Sequence, residues 1–288
     1  MNTTNNRNLY GALLIVLVAV FAAASNSLTH SLPKNFPTTQ ALFLKAGIGL
    51  LFVSVFYSRK LTAVTQTKFL PWQIFKGITG ALGNWFLIAS VQLLPLADSS
   101  ALSLTSALMT TLGAYCFFGE KLTRPILYSL GIGFAGVLII LRPSSGVFTV
   151  YALYPLLSAL AFSASSLIIK KVSIRDSSAT TLFYLLFFMT LFSAGPAFWN
   201  WYEISSLALF LKLAGISALY VLGQFALIEA YTHAAASFIA PFKFSRFPLA
   251  VVSGFLFFEE QAAWTTLIGA SMIIGSYIYL IKTNKKLK

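Results

Sequence analysis

Charge is scarce in this chain. Only 9% of its 288 residues are Asp, Glu, Lys or Arg, where a soluble domain carries roughly 25%. So little charge leaves no polar surface to face water on every side. Cysteine is scarcer still: the single Cys116 excludes a disulfide framework and any thiolate metal cluster. Two histidines and seven carboxylates are too few for most metalloenzyme or acid–base sites. A Walker-type Gly-Lys-Ser/Thr is absent, which argues against ATP hydrolysis, and so is the His-Glu-x-x-His of a zinc protease. An aspartyl intramembrane protease needs two membrane carboxylates, and only Glu229 lies clearly inside a span. A serine–histidine pair would have to use His30 or His233, both read at helix ends. The expectation is a protein that is not an enzyme and holds no cofactor or metal.

Apolar residues, by contrast, make up 58% of the chain and fall in blocks of about twenty, the length that crosses hydrocarbon as a helix. The spans read as 11–30, 38–57, 72–94, 97–118, 125–141, 149–170, 179–198, 206–232, 236–258 and 262–281. Gly11 to Ala24 has the outline of a signal peptide, but a counterpart later in the chain argues for a span instead. The formal net charge of +13 does not imply nucleic acid, because the basic residues sit at helix ends rather than in one patch. With the N-terminus in the cytoplasm, the inside segments carry Arg7, Arg59, Lys60, Lys68, Lys121, Arg124, Lys170, Lys171, Arg175, Lys282, Lys285, Lys286 and Lys288. The outside loops then keep little beyond Lys34 and Arg142, with Lys212 near a helix end. By the positive-inside rule both termini are cytoplasmic.

The chain aligns with itself, without gaps, at a shift of 140 residues. Gly83-Asn84-Trp85-Phe86-Leu87-Ile88 matches Gly223-Gln224-Phe225-Ala226-Leu227-Ile228, and Phe117-Phe118-Gly119-Glu120 matches Phe257-Phe258-Glu259-Glu260. The reading is an all-α membrane protein of ten transmembrane helices in two five-helix repeats, 1–145 and 146–288. Five is odd, so the second repeat enters the membrane inverted. Inverted repeats are a recurrent plan of secondary transporters, with substrate held between the halves near the midplane.

Gln92-Leu93-Leu94-Pro95-Leu96-Ala97-Asp98-Ser99-Ser100-Ala101-Leu102-Ser103-Leu104-Thr105-Ser106, followed by Phe118-Gly119-Glu120-Lys121, resembles the EamA-type transporters of the drug/metabolite transporter superfamily. So does Pro241-Phe242-Lys243-Phe244-Ser245-Arg246-Phe247-Pro248, ending in Phe258-Glu259-Glu260. The resemblance covers essentially the whole chain. It implies five plus five inverted helices and alternating access of small organic solutes across a bacterial inner membrane. Ala107, Lys243 and Phe244 depart from the family pattern where substrate is met, so the substrate is not inherited from it.

An ionisable group in a span costs ~2.5–3.5 kcal/mol on insertion scales, so each needs a reason. Lys45 lies in the outer third of span two, where the resemblance implies an arginine. Lys243 and Arg246, at i and i+3, share one face of span nine. Arg246 lies ~15 Å from the cytoplasmic end at 1.5 Å per residue, near the midplane. Glu229, in span eight, stands about level with Lys243. Three inward cations against one carboxylate leave positive charge that an anionic substrate group neutralises; an ion network locking helices together is the structural alternative.

Asn84 and Gln224 are equivalent in the two repeats and are placed to hydrogen-bond a polar substrate, each other or a neighbouring helix. Trp85, Tyr220 and Phe244 fall in spans that line the path, where plain core packing competes with substrate contact. Glu229 and His233, one turn apart, are proton-coupling candidates. Asp98 reads as a cap of span four, and Glu120 and Glu260 as loop-facing packing or capping residues. Gly77-x-x-Gly80-x-x-Gly83 and Gly131-x-Gly133-x-x-Gly136 allow close helix approach. Pro155, Pro241 and Pro248 inside spans create kinks. The partners expected are a small-molecule substrate, a proton in a coupled version, and the lipid bilayer. No nucleic acid is expected, and the assembly is a monomer or homodimer.

Overall fold

Backbone N–H and C=O groups find no water in hydrocarbon, so runs of apolar residues close their own hydrogen bonds as helices. The computed structural model describes residues 3–33, 35–93, 102–141, 150–204, 206–246, 249 and 264–286, and shows no strand among them. The first half holds α1 (Thr3–His30), α2 (Thr38–Phe56), a short α3 (Leu61–Val64), α4 (Leu70–Leu93), α5 (Thr105–Phe118) and α6 (Arg124–Leu141). The second holds α7 (Leu153–Val172), α8 (Ser178–Trp199), α9 (Leu207–His233), a one-turn α10 (Ala236–Ile239) and α11 (Trp264–Lys286). By length and composition, α1, α2, α7, α8 and α9 each include a segment able to cross a membrane.

Helix ends follow from local chemistry. Ser177 and Ser206 cap α8 and α9 by accepting from the N–H groups of Thr180 and Leu209. Gly119, in the left-handed region at φ 63°, ends α5. The outside of the bundle is apolar, with Leu51, Val55, Phe56, Phe117 and Leu191 all exposed. Gln40, Gln73, Thr110, Ser158 and Thr181 are fully buried. Apolar outside and polar within is the pattern of a protein bathed in lipid.

The principal packing pairs join the halves: α1 lies on α9, α4 on α7, α2 on α8 and α6 on α11. A shift of 140 carries Thr38, the first residue of α2, to Ser178, the first residue of α8. That shift turns the α1–α9 pair into α7–α4 and maps α2–α8 and α6–α11 onto themselves. Small residues permit the contacts. A methyl group at Gly77, Gly80 or Gly83 of α4 would collide with Phe188, Leu185 or Phe162, and one at Gly133 or Gly136 with Phe244 or Gly269. Gly131 faces open space instead.

Two sequence expectations are corrected. The start of span nine is not one α-helix: α10 gives way to a 3-10 segment, Ala240–Ser245. Pro241, which lacks an N–H and clashes with the preceding turn, sits at the head of that segment. Pro155 lies in the first turn of α7, where a missing N–H disturbs nothing, so it makes no kink. The loop after α2 is also structured, by a 3-10 turn at Ser58–Lys60 and by α3. Asp98, Pro248 and Glu260 lie outside the described residues.

Candidate substrate site at the seam between the halves

Tyr220 stands at the middle of α9, thirteen residues from either end. Around it the seam gathers side chains from both halves. Lys45 Nζ of α2 donates to Asn84 Oδ1 of α4 at 2.8 Å and lies 4.5 Å from the centre of the Tyr220 ring. Asn84 Nδ2 donates to the Gly80 carbonyl at 2.8 Å and to Tyr220 Oη at 3.3 Å. Tyr220 Oη in turn donates to Met189 Sδ of α8 at 3.3 Å. Lys45 and Tyr220 are only half-buried, so the cluster is reachable. A charge-assisted hydrogen bond of the Lys45 kind contributes about 1.5–3 kcal/mol, and a desolvated cation over a ring about 2.

A second group lies where α10 and the 3-10 segment meet α5 and α7. Lys243 Nζ donates to Thr110 Oγ1 at 3.2 Å and to Ser166 Oγ at 3.3 Å, and stands 5.6 Å from the Tyr231 ring centre. Three residues per turn eclipse positions i and i+3, so the 3-10 geometry stacks Arg246 over Lys243. Arg246 is half-buried and forms no hydrogen bond or ion pair among the described residues. Among the described residues neither cation meets a carboxylate: Glu229 pairs with His233 at 3.3 Å, not with Lys243. The ion network between Glu229 and Lys243 is therefore not formed. His233 Nδ1 also lies 2.9 Å from the Glu229 carbonyl oxygen, and the ring meets Tyr10 edge-on.

Beside this group the break between α9 and α10 is held from two sides. Glu120, just past α5, accepts from the N–H groups of Ala236 and Ser237 at 3.0 and 2.8 Å and from the Ser237 hydroxyl at 2.6 Å. Lys170 of α7 donates to the carbonyls of Tyr231 and Ala234 at 3.2 and 2.7 Å. An anion on the first N–H groups and a cation on the last carbonyls complement both helix dipoles. The capping role expected of Glu120 is thus seen, but across the halves.

Several expected residues stand apart. No hydrogen bond joins Asn84 to Gln224, and Gln224 is half-buried without a side-chain hydrogen bond among the described residues. Trp85 is exposed and packs on Phe86 and Tyr154, away from Lys45. Phe244 is fully buried against Gly133 of α6. The sequence reading passed over Lys76, Gln73 and Asp176. Lys76 and Gln73 are both fully buried in α4, and Gln73 Nε2 donates to Asp176 Oδ2 at 2.8 Å. Among the described residues no group of three His, Cys, Asp or Glu stands together to hold a metal ion.

Residues 9–142 match the profile of the EamA-like transporter family. The chain is 32% identical to a riboflavin transporter of Rhizobium johnstonii over 98% of its length and 94% of that protein. It is 28% identical to a pseudopaline exporter of Pseudomonas aeruginosa, covering 96% of this chain and 97% of the other. It is 26% identical to an S-adenosylmethionine uptake transporter of Rickettsia conorii, covering 99% and 97%. A solved crystal structure superposes with a TM-score of 0.75 at 15% identity, over 98% of this chain and 99% of that one, which shows the fold alone. A lipid-facing helical bundle, a polar seam between its halves and relatives that are transporters throughout leave one assignment: this multi-pass membrane protein belongs to the EamA-like transporter family of the drug/metabolite transporter superfamily, and is a transporter of small molecules rather than an enzyme.

Proposed function

We propose that the protein carries a small organic solute bearing a carboxylate or phosphate across the bacterial inner membrane by alternating access. The charge balance of the interior supports this most directly. Lys45, Lys243 and Arg246 reach the seam, and the single carboxylate in a described span, Glu229, is taken by His233. Unpaired cations in a membrane interior are costly and mark solute paths. Arg246, without a hydrogen-bond or ion-pair partner among the described residues, offers two parallel N–H groups to an oxyanion, and Lys243 adds a point charge three residues away. Lys45, which Asn84 and Tyr220 hold at the middle of the seam, takes the same negative group at another stage of its passage.

Exchange of the pairs α1–α9 and α4–α7 under the 140-residue shift supports a twofold relation between the halves, and the charge of the loops supports their inversion. It also supports rocking of one half against the other. With both termini cytoplasmic, the Glu120 and Lys170 contacts close the cytoplasmic end. His233 and Glu229 sit beside that closure and are the candidate site for a coupled proton.

A second reading takes the solute as neutral, supported by the relative named for riboflavin. Riboflavin and riboflavin 5′-phosphate, a matched neutral and anionic pair, separate the two. The anionic reading expects thermal stabilisation of the purified protein by the phosphate but not by the neutral flavin. It also expects saturable uptake of the anion by proteoliposomes, reduced at least tenfold in a folded Arg246→Ala variant. Preference for the neutral flavin, with uptake indifferent to Arg246→Ala, overturns it.

A further inference from the structure

We infer that Lys76 and Gln73 form a second anion-binding station on α4, which receives the negative group of the solute after it leaves Lys45 and Asn84. The inference rests on the anionic reading above and adds residues to its path. Both side chains are fully buried, yet Lys76 Nζ and Gln73 Oε1 have no hydrogen-bond partner among the described residues. Buried polar groups are otherwise nearly always paired, and a charged one without a partner is costly. Gln73 turns its nitrogen to Asp176 and to Thr181 Oγ1 at 3.4 Å, which leaves its oxygen for an incoming donor. Asp176 accepts from Thr67 and Gln73 and forms no ion pair with Lys76.

Along the axis of the bundle the station stands near the height of the second group at the seam. Lys76 and Asn84 are eight residues apart on one helix, ~12 Å along its axis. α4 and α7 run antiparallel, with Trp72 beneath Lys171 and Gly83 against Phe162. Interpolating between those contacts puts Lys76 about level with Ile168, two residues or ~3 Å along α7 from Ser166, whose hydroxyl accepts from Lys243. A cation from each half therefore stands at that height. Gly77, Gly80 and Gly83 keep α4 free of side chains where it meets α7 and α8, so the three helices pack closely beside the station. One buried donor beside one buried acceptor suits an oxyanion that also offers a proton, such as a hydrogen phosphate or a carboxylate beside an ammonium group.

Inorganic phosphate is the probe. The full chain is unfolded thermally in maltoside micelles, free of lipid phosphate, while sodium phosphate replaces sodium chloride at constant ionic strength and pH 7. The wild type is expected to gain stability saturably, Lys76→Met to lose at least half of that gain, and Lys45→Met to keep the Lys76 part. Methionine matches the length of the lysine stem and removes a buried charge, so Lys76→Met is expected to fold; Lys76→Gln serves as a second variant. A gain in both Lys76 variants equal to the wild type's overturns the station, as it would if water alone satisfied the lysine. The same gain with its loss in Lys45→Met leaves the proposed solute site standing and removes only the station. No gain in the wild type overturns the station, while flavin-phosphate uptake tests the first site independently.

Discussion

At the scale of single residues, Asn84 is the hinge of the seam cluster, because it accepts from Lys45 and donates to Tyr220 at once. Asn84→Leu strips both neighbours of a partner and leaves the ammonium facing an apolar side chain. The expected loss is about 1–3 kcal/mol, the cost of an unsatisfied buried polar group. Denaturant titration in mixed micelles measures it. Lys45→Met in the same background is expected to recover most of the loss, since removing both partners together leaves nothing unpaired. Lys45, Asn84, Lys243 and Arg246 were legible in the sequence because polar groups deep in apolar runs need a reason to be there. Their partners were not. Equivalence under the repeat pointed Asn84 at Gln224, but the lysine and tyrosine beside it form stronger contacts than a second amide offers. Lys76 escaped notice for the opposite reason: six residues into α4, it stands close to the basic loop residues that precede it.

At the scale of elements, hydropathy located the long helices, and caps and glycines fixed their ends. What hydropathy does not register is hydrogen-bond geometry, so the 3-10 segment at Ala240–Ser245 read as ordinary helix despite Pro241. The break between α9 and α10 was also illegible as a joint, because Glu120 and Lys170 reach it from 116 and 64 residues away in the chain. Their grip makes a test of movement at that joint. In a Cys116→Ser background, Glu120→Cys with Ser237→Cys places two thiols where the side chains now meet. The oxidised protein is expected to lose uptake by at least tenfold, and reduction to restore it. The reduced double variant itself is expected to be about 1–3 kcal/mol less stable than its parent, for want of the charge-assisted bonds. Full uptake while the disulfide is intact would mean that this joint stays shut throughout transport.

At the scale of the whole molecule, one number organises the fold. The shift of 140 residues superposes the starts of α2 and α8 and exchanges α1–α9 with α7–α4, a pattern that composition alone would not produce. Whether the copies are inverted depends on how many times the first half crosses the membrane, which sequence and packing address only through charge. Arg59, Lys60, Lys68, Lys121, Lys170, Lys171 and Arg175 all lie in or beside the connections between α2 and α4, α5 and α6, and α7 and α8, which the packing brings to one end of the bundle. The positive-inside rule puts that end in the cytoplasm. Alkaline phosphatase, active only outside the inner membrane, reads the count directly when fused after successive truncations. A fusion after residue 145 is expected to be active, because five crossings carry it out. A fusion after residue 175 or at the C-terminus is expected to be inactive. An inactive fusion after 145 would give the first half an even number of crossings, and the halves would then be parallel copies. The seam would lose its relation to alternating access while its cations kept theirs to an anionic solute, so the fusion separates the mechanism of movement from the chemistry of recognition.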